Sequence, residues 1–515
     1  MRRIRLASIF MDDIILQRNK PISVWGEGQD GTIVDVTIAS GHAQCMVVNQ
    51  SWSVTLPAME ACCQQQIRVS ATNPADGTKE EIILKNVSVG EVWIAGGQSN
   101  MEFLYRYDIE RIPADKVEED AQLRFFDVPK VSYEGQLEAG HYEEYGFWRT
   151  LQGENSEWFS AVGLYFGQEL RRRLGVPVGI IGCNWGGSSA AAWTSPQYLE
   201  AEPKLKKVVE EYQESLNTLD MKAYLEATDN MTTRDPREER KFMDLFMMGM
   251  KFSEIIAARG DNQSEEEKKY SMLSMQVGPR SFRRPSGLYE MMLQQILPFA
   301  VRGALWYQGE EDEISRSEFY DVSLKAVIDT FRNNRNDFPF LIVQLPPFEG
   351  NAFSLGRKYP TIRKMQQRVS DTIPNVWCAC TTDVGDRNNI HPRQKRPVGE
   401  RLGLLALKHV YDIELEADSP RFVDGRKEGE TVVLNFINVA DGLSSPDHKA
   451  TGIELYAEGL RVYPDITVEK DRVILTDESL TSITDITVRY AMDNYFEVNL
   501  YNSAGLPVFP FEAKI

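Results

Sequence analysis

No stretch of the 515-residue chain approaches the roughly 20 consecutive apolar residues that a membrane-spanning helix needs. Positive charge is also scarce. Lys and Arg number 57 against 76 Asp and Glu, a net charge of −19. So acidic a surface argues against nucleic acid and anionic membranes as partners. The six cysteines lack metal-binding spacing. Cys62 and Cys63 are adjacent, while Cys378 and Cys380 alternate on an apolar run and read as small buried residues of a strand. Reduced thiols in a cytoplasmic protein are the expectation. The sequence has no phosphate-cradling loop, dinucleotide fingerprint or zinc motif, so neither cofactor nor metal is expected. Internal repeats and low-complexity tracts are missing too. The N-terminus starts basic, but Asp12 and Asp13 cut its apolar part short, and it reads as mature chain rather than a leader.

What remains is an ordinary globular composition, 42% apolar, in a chain long enough for roughly two to four domains. Residues 1–90 read as β-rich and sandwich-like. Runs such as Ile22 to Gly26, Ile33 to Ile38, Trp52 to Leu56 and Ile67 to Ser70 alternate apolar and polar between Gly, Asp and Asn turns. His42 falls in a Gly-His turn. From residue 91 strands alternate with helices, which predicts an α/β layer with a parallel sheet, first part 91–196 and second part 286–412. Between them, 197–285 has helical periodicity, with Leu205, Val208, Val209, Tyr212 and Leu216 on one face, and reads as a helical insertion. Its methionines Met243, Met247, Met248 and Met250 suit core packing better than a cofactor site. Residues 413–515 return to β structure.

Four polar clusters each follow a predicted strand of this layer. They are Gly97-Gln98-Ser99-Asn100, Trp185-Gly186-Gly187-Ser188, Gln308 to Asp312, and Asp383 to His391. In an open parallel sheet, strand C-termini share one edge, where ligands bind. Ser99 follows two glycines at a strand end, so its hydroxyl is approachable, but serine is a weak nucleophile until a base takes its proton. His391 is the histidine that follows a strand of this layer. An oxyanion needs donors, and the N–H groups of Ser99 and Gly187 with the Gln308 amide are candidates.

These blocks, Gly-Gln-Ser-Asn-Met at 97–101, Trp-Gly-Gly-Ser at 185–188, Trp-Tyr-Gln-Gly-Glu at 306–310 and Ile-His-Pro-x-x-Lys at 390–395, resemble successive blocks of the SGNH hydrolases. More narrowly, they resemble the sialate O-acetylesterase and acetylxylan-esterase group. Ile14 to Arg18, Pro21 to Gly26 and Gly505 to Phe511 extend the likeness to nearly the whole chain outside the helical insertion. The resemblance implies a flavodoxin-like three-layer hydrolase domain with β-rich ends, and a serine esterase that removes O-acetyl groups from a sugar. Ser99 would be the nucleophile, His391 the general base, and Ser99, Gly187 and Gln308 the oxyanion donors. Gln98, Trp185 and Glu310 would contact or brace the substrate, and Trp185, Trp193 and Trp306 are candidates for a sugar platform, although core packing suits each tryptophan better.

One position departs from the family. An aspartate is usual two or three residues before the histidine, whereas here Asn388 and Asn389 stand there. An amide can accept an Nδ1–H bond but cannot stabilise an imidazolium by charge. Asp386 or Asn388 is the expected orienter, with Asp383 or a Ser-His dyad as alternatives. A sialic acid substrate would call for a cation, for which Arg363 and Arg387 are candidates; neutral xylan-type oligosaccharides would not. A carbohydrate-binding protein of weakened activity, or another esterase or lipase on the same fold, are the competing functions. The oligomeric state is not readable from the sequence.

Overall fold

The computed structural model describes residues 4–233, 236–259, 265–333, 335, 337–350 and 358–515. The chain divides into two compact units. The first comprises Met1–Leu305 with Ala326–Pro339, and the second Trp306–Lys325 with Phe340–Ile515.

In the first unit one long strand, Lys79–Gly97, organises the rest. Its outer half alternates exposed and covered residues and pairs antiparallel with Cys62–Thr72. From Val87 to Gly97 every residue is buried, as expected of a strand covered on both faces. It therefore runs without a break across residue 90. Over this inner half it pairs in parallel with Val178–Asn184, which in turn pairs in parallel with Asp120–Asp127. Trp148–Leu151 closes that edge antiparallel, so the expected parallel sheet is mixed. The helix Ala161–Leu174 is capped by the Ser160 hydroxyl, which accepts from the Gly163 N–H at 3.1 Å, and ends at Gly175 with φ +65°. Gly163 and Gly167 let it lie close to the sheet. A methyl group at either would stand 3.2 Å from Ile180 or 2.6 Å from Leu123.

Earlier in the chain, Ile4–Leu6, Ile22–Gly28 and Ser51–Leu56 form one antiparallel sheet, while Ile33–Ile38 pairs with Gly41–Met46 and Cys62–Thr72. His42 thus lies in a strand rather than a turn, with Nε2 2.7 Å from Asp35 Oδ1. The expected helical segment contains the helices Pro196–Ala201, Pro203–Leu216, Met221–Thr232, Pro236–Met247, Phe252–Arg259 and Glu265–Ser274. Residues 234–235 and 260–264 of it lie outside the described residues. Leu205 and Val208 are buried as the periodicity requires. The methionines behave differently: Met247 is buried, but Met243 is 53% and Met248 42% exposed, so the cluster is not a packed core. No helix among the described residues is long and apolar enough to cross a membrane.

The second unit pairs Phe340–Val343 in parallel with Val376–Ala379 and carries the helices Tyr359–Thr372 and Arg396–His409. Its C-terminal part is β structure. The strands Arg421–Glu428, Thr431–Ile437, Arg472–Thr476 and Asp465–Val468 form one sheet; Leu460–Val462, Ile453–Ala457, Ile486–Tyr490 and Phe511–Lys514 form another. Val432, Leu434, Leu455, Val473, Leu475 and Val488 fill the core between them.

Candidate active site

Gly97 ends the long strand at φ +134°, a backbone conformation open to glycine but costly for any residue with a Cβ. The chain then makes a single helical turn, Ser99–Glu102. Ser99 is 8% exposed, and Gln98 and Asn100 are buried. The neighbouring strand ends beside it. Asn184 Nδ2 donates to the Ala95 carbonyl and the Trp185 N–H to the Gly97 carbonyl, each at 3.1 Å. These bonds bring the Gly186-Gly187 turn against the serine: a Cβ on Gly186 would lie 3.2 Å from Ser99 Cβ. Gly187 takes φ +70°.

The turn is held from several sides. Glu102 Oε2 accepts the Gly186 N–H at 2.6 Å, and its other oxygen pairs with the Lys130 ammonium. Although burial works against its charge, the Glu102 carboxylate raises the Lys130 pKa above the usual range. Burial pushes the neighbouring Asp127 carboxyl up to about 6. Arg283 Nε donates to the Gly187 carbonyl at 3.3 Å, Ser188 Oγ donates to the Trp185 carbonyl at 2.7 Å, and the Trp185 ring stacks on Phe282 with centroids 4.9 Å apart.

The second unit carries the other two clusters. Gln308 is fully buried, with Nε2 donating to Asp312 Oδ2 at 2.6 Å and Oε1 lying 2.8 Å from the Tyr320 hydroxyl. A carboxylate only accepts and a hydroxyl can donate, so the two neighbours fix which way the amide faces. Its main-chain carbonyl accepts from Gln366 Nε2 at 3.2 Å. Glu310 is buried beside Tyr307, whose hydroxyl is held well above its ordinary pKa by burial and by that carboxylate. The loop after Val376–Ala379 is tied down by Asp383, whose two oxygens each lie 2.7 Å from the Arg401 guanidinium. His391 is buried, and its backbone N–H donates to Asn389 Oδ1 at 2.9 Å. Burial drives the imidazole pKa down to about 3, and the Lys395 ammonium pushes the same way.

The structure thus gathers Ser99, Gly186, Gly187 and Trp185 in the first unit, Gln308 with Asp312 and Tyr320 in the second, and His391 with Lys395 in the second. The expectations for Arg363 and for the residue orienting His391 need correction. Arg363 is no substrate cation: it is buried, donates to the main-chain carbonyls of Asp493 and Asn494, and loses basicity to about 9 through burial. Asp386 is exposed and spends Oδ1 on the N–H groups of Asn388 and Asn389 at 2.9 and 2.8 Å. A carboxylate against the imidazole would raise its pKa, yet His391 is depressed, so Asp386 does not charge-stabilise the ring. Asp383 is committed to Arg401, and Asn388 is exposed. Trp193 and Trp306 are buried in the core, which leaves Trp185, half-buried, as the platform candidate. Arg387 is on the surface, paired with Glu349 and lying over the Tyr495 ring. Sequence reasoning missed Glu102 and Lys130, and gave no separate role to Asp312 and Lys395 within the blocks it singled out. Glu102 was within reach, because a residue three positions after the serine shares its helical face. Among the described residues no group of three or more His, Cys, Asp or Glu is arranged to hold a metal ion.

Residues 219–407 match the family of carbohydrate esterases described as sialic acid-specific acetylesterase. The chain carries a carbohydrate esterase domain. The match starts inside the helical segment, so the insertion is not outside the likeness as expected, and it includes Gln308, Glu310 and His391. Over the whole length, a sialate O-acetylesterase of Rattus norvegicus is 24% identical to this esterase across 99% of the chain and 94% of the relative. One from Mus musculus is 25% identical across 79% and 73%. A carbohydrate acetylesterase from Xanthomonas citri superposes with a TM-score of 0.74 at 26% identity, covering 99% of each chain.

Proposed function

We propose that this esterase hydrolyses O-acetyl groups on a carbohydrate through an acyl-serine intermediate, using an SGNH-type three-layer hydrolase domain with β-rich ends. The observation that carries this reading is Ser99 at the end of a buried strand, directly against the Gly186-Gly187 turn. In the proposed mechanism Ser99 Oγ attacks the acetyl carbonyl while His391 takes its proton. At neutral pH the imidazole is neutral and able to accept, while a pKa lowered to about 3 makes it a weak base. Charge building on the carbonyl oxygen goes to the N–H groups of Ser99 and Gly187 and the side-chain amide of Gln308. The sugar hydroxyl leaves with the proton from His391, and water repeats the sequence to release acetate. Gln98, Trp185 and Arg387 contact the sugar, and Glu310 braces the pocket. The names of the relatives suggest O-acetylated sialic acid or another O-acetylated carbohydrate, and acetylated hemicellulose oligosaccharides are the second substrate class of this proposal. All six cysteines are free, which supports a reducing, cytoplasmic setting.

One observation favours a second reading, a carbohydrate-binding protein of weakened activity: Asn388 and Asn389 stand where an orienting aspartate is usual. Acetate release from p-nitrophenyl acetate by the wild type and Ser99→Ala, followed by a panel of acetylated sugars, separates the two. Activity lost in the variant supports the esterase. Activity absent from both, with retained glycan binding, replaces it with the second reading.

A further inference from the structure

The Gly186-Gly187 turn presents a physical problem. A Cβ on Gly186 would crowd Ser99 Cβ at 3.2 Å, and Gly187 sits at φ +70°. Two consecutive glycines are the loosest backbone a chain can offer, yet an oxyanion donor works only when its direction is fixed before the charge forms. The Gly187 N–H belongs to the peptide joining the two glycines. The peptide before it is held through the Gly186 N–H, which donates to Glu102 Oε2 at 2.6 Å. The peptide after it is held through the Gly187 carbonyl, which accepts from Arg283 Nε at 3.3 Å. The donor peptide is therefore clamped on both flanks. One clamp comes from the nucleophile's own helical turn, and the other from the end of the helical insertion.

We infer that Glu102 and Arg283 are positioning residues that set the direction of the Gly187 N–H in the oxyanion site, which gives the insertion a part in the reaction. The inference rests on the proposed serine mechanism. Glu102 is itself steadied by Lys130 on its other oxygen, so its carboxylate cannot swing away from the turn without breaking an ion pair. The Trp185–Phe282 stack brings the segment that bears Arg283 against the same turn.

The test uses the full chain and p-nitrophenyl acetate, with Glu102→Ala, Glu102→Gln and Arg283→Met beside Ser99→Ala. Removing an oxyanion donor outright costs about 10²–10³ in kcat. Loosening one should cost less, about 10- to 100-fold for Glu102→Ala and about 3- to 10-fold for Arg283→Met, with KM within about twofold in both. Glu102→Gln should recover most of the loss, because an amide oxygen still accepts the Gly186 N–H. A phenylboronic acid that adds to Ser99 mimics the tetrahedral oxyanion, so its Ki should rise in step with the fall in kcat. A purely structural role would lower thermal stability without that parallel. Should Glu102→Ala not fold, Arg283→Met, whose side chain is half-buried, carries the test. Unchanged kcat in both variants while Ser99→Ala is dead overturns the inference and leaves the mechanism standing. A fully active Ser99→Ala overturns the mechanism instead.

Discussion

The two ends of the inner half of the Lys79–Gly97 strand handle polarity in opposite ways. At its start Glu91 is wholly buried and saturated. Arg18 Nε lies 2.6 Å from Oε1, Arg302 Nε 2.9 Å from Oε2, and Gln17 Nε2 3.0 Å from Oε2. Burial alone would raise its pKa, but the bonds from Arg302, Arg18 and Gln17 outweigh it and hold the carboxylate below the usual range. At the far end the strand delivers two glycines, a small hydroxyl and a turn with little side chain. The first cluster is polarity buried for structure, in which every charge arrives with its complement. The second is polarity arranged around open backbone, the form that transition-state stabilisation requires. The second unit repeats the contrast. Asp383 and Arg401 are a matched bidentate pair, whereas the cation beside His391 opposes protonation of the ring.

Exchanging which property each end loses gives the largest expected effect. Glu91→Gln leaves the Arg18 and Arg302 guanidinium groups largely buried beside a neutral amide. It should cost about 3 kcal/mol, the low end for a broken buried pair, because both side chains keep some contact with water. Whatever activity the folded fraction shows should be close to wild type. Ser99→Ala should do the reverse, losing about 10³-fold or more in acetate release with stability changed by less than about 1 kcal/mol. Urea unfolding and acetate release on the same preparations check both. A destabilised Ser99→Ala, or a folded but inactive Glu91→Gln, breaks the comparison.

Much of this contrast is legible in the sequence at the functional end and little of it at the structural end. Gly97, Ser99, Gly186 and Gly187 announce themselves because strand-ending glycines next to a serine are local patterns. Val92 to Ala95, Val178 to Ile181 and Gly303 to Tyr307 are unbroken apolar runs and fold as buried strands. Asp120–Asp127 escapes because Arg124 interrupts its apolar pattern. That guanidinium is fully buried and spends itself on the carbonyls of Asp13 and Asn86, each at 2.7 Å, a partnership far apart in sequence. Arg363 misleads for the same reason. As a string it is a cation near the last strand, but its acceptors are carbonyls of residues 493 and 494. A charge in a sequence does not name its partner, whereas glycine next to serine carries its geometry with it.

The contrast in the second unit sharpens through pH. With the His391 pKa near 3, the base stays neutral well below the ordinary imidazole range, so the acid limb of kcat/KM should lie below pH 5. Lys395→Met removes the second contributor after burial and should move that limb upward, towards but not reaching 6.5. The same depression affects stability. The unfolded chain binds a proton between about pH 6.5 and 3 that the folded chain refuses, so stability falls as pH drops through that window. An acid limb at the same pH in wild type and variant would show that Lys395 does not act on the ring.

The smallest effect belongs to Asp127, half-buried near the Glu102–Lys130 pair, with its pKa raised to about 6, chiefly by loss of hydration of its carboxyl group. Here the sign is the reverse of Glu91. The folded state holds a proton between about pH 4 and 6 that the unfolded state has released, so this group costs stability as pH rises through that range, and the cost is complete above it. Asp127→Asn keeps the shape and removes the titration. At pH 4 its Tm should equal that of the wild type, and at pH 8 it should be higher by about 2–4 °C. The acetate-release rate should change by less than about threefold, since the Gly186 bond to Glu102 is untouched. A Tm gap that stays flat from pH 4 to pH 8 would mean that Asp127 is as well compensated as Glu91, and would erase the difference between the two ends of the strand.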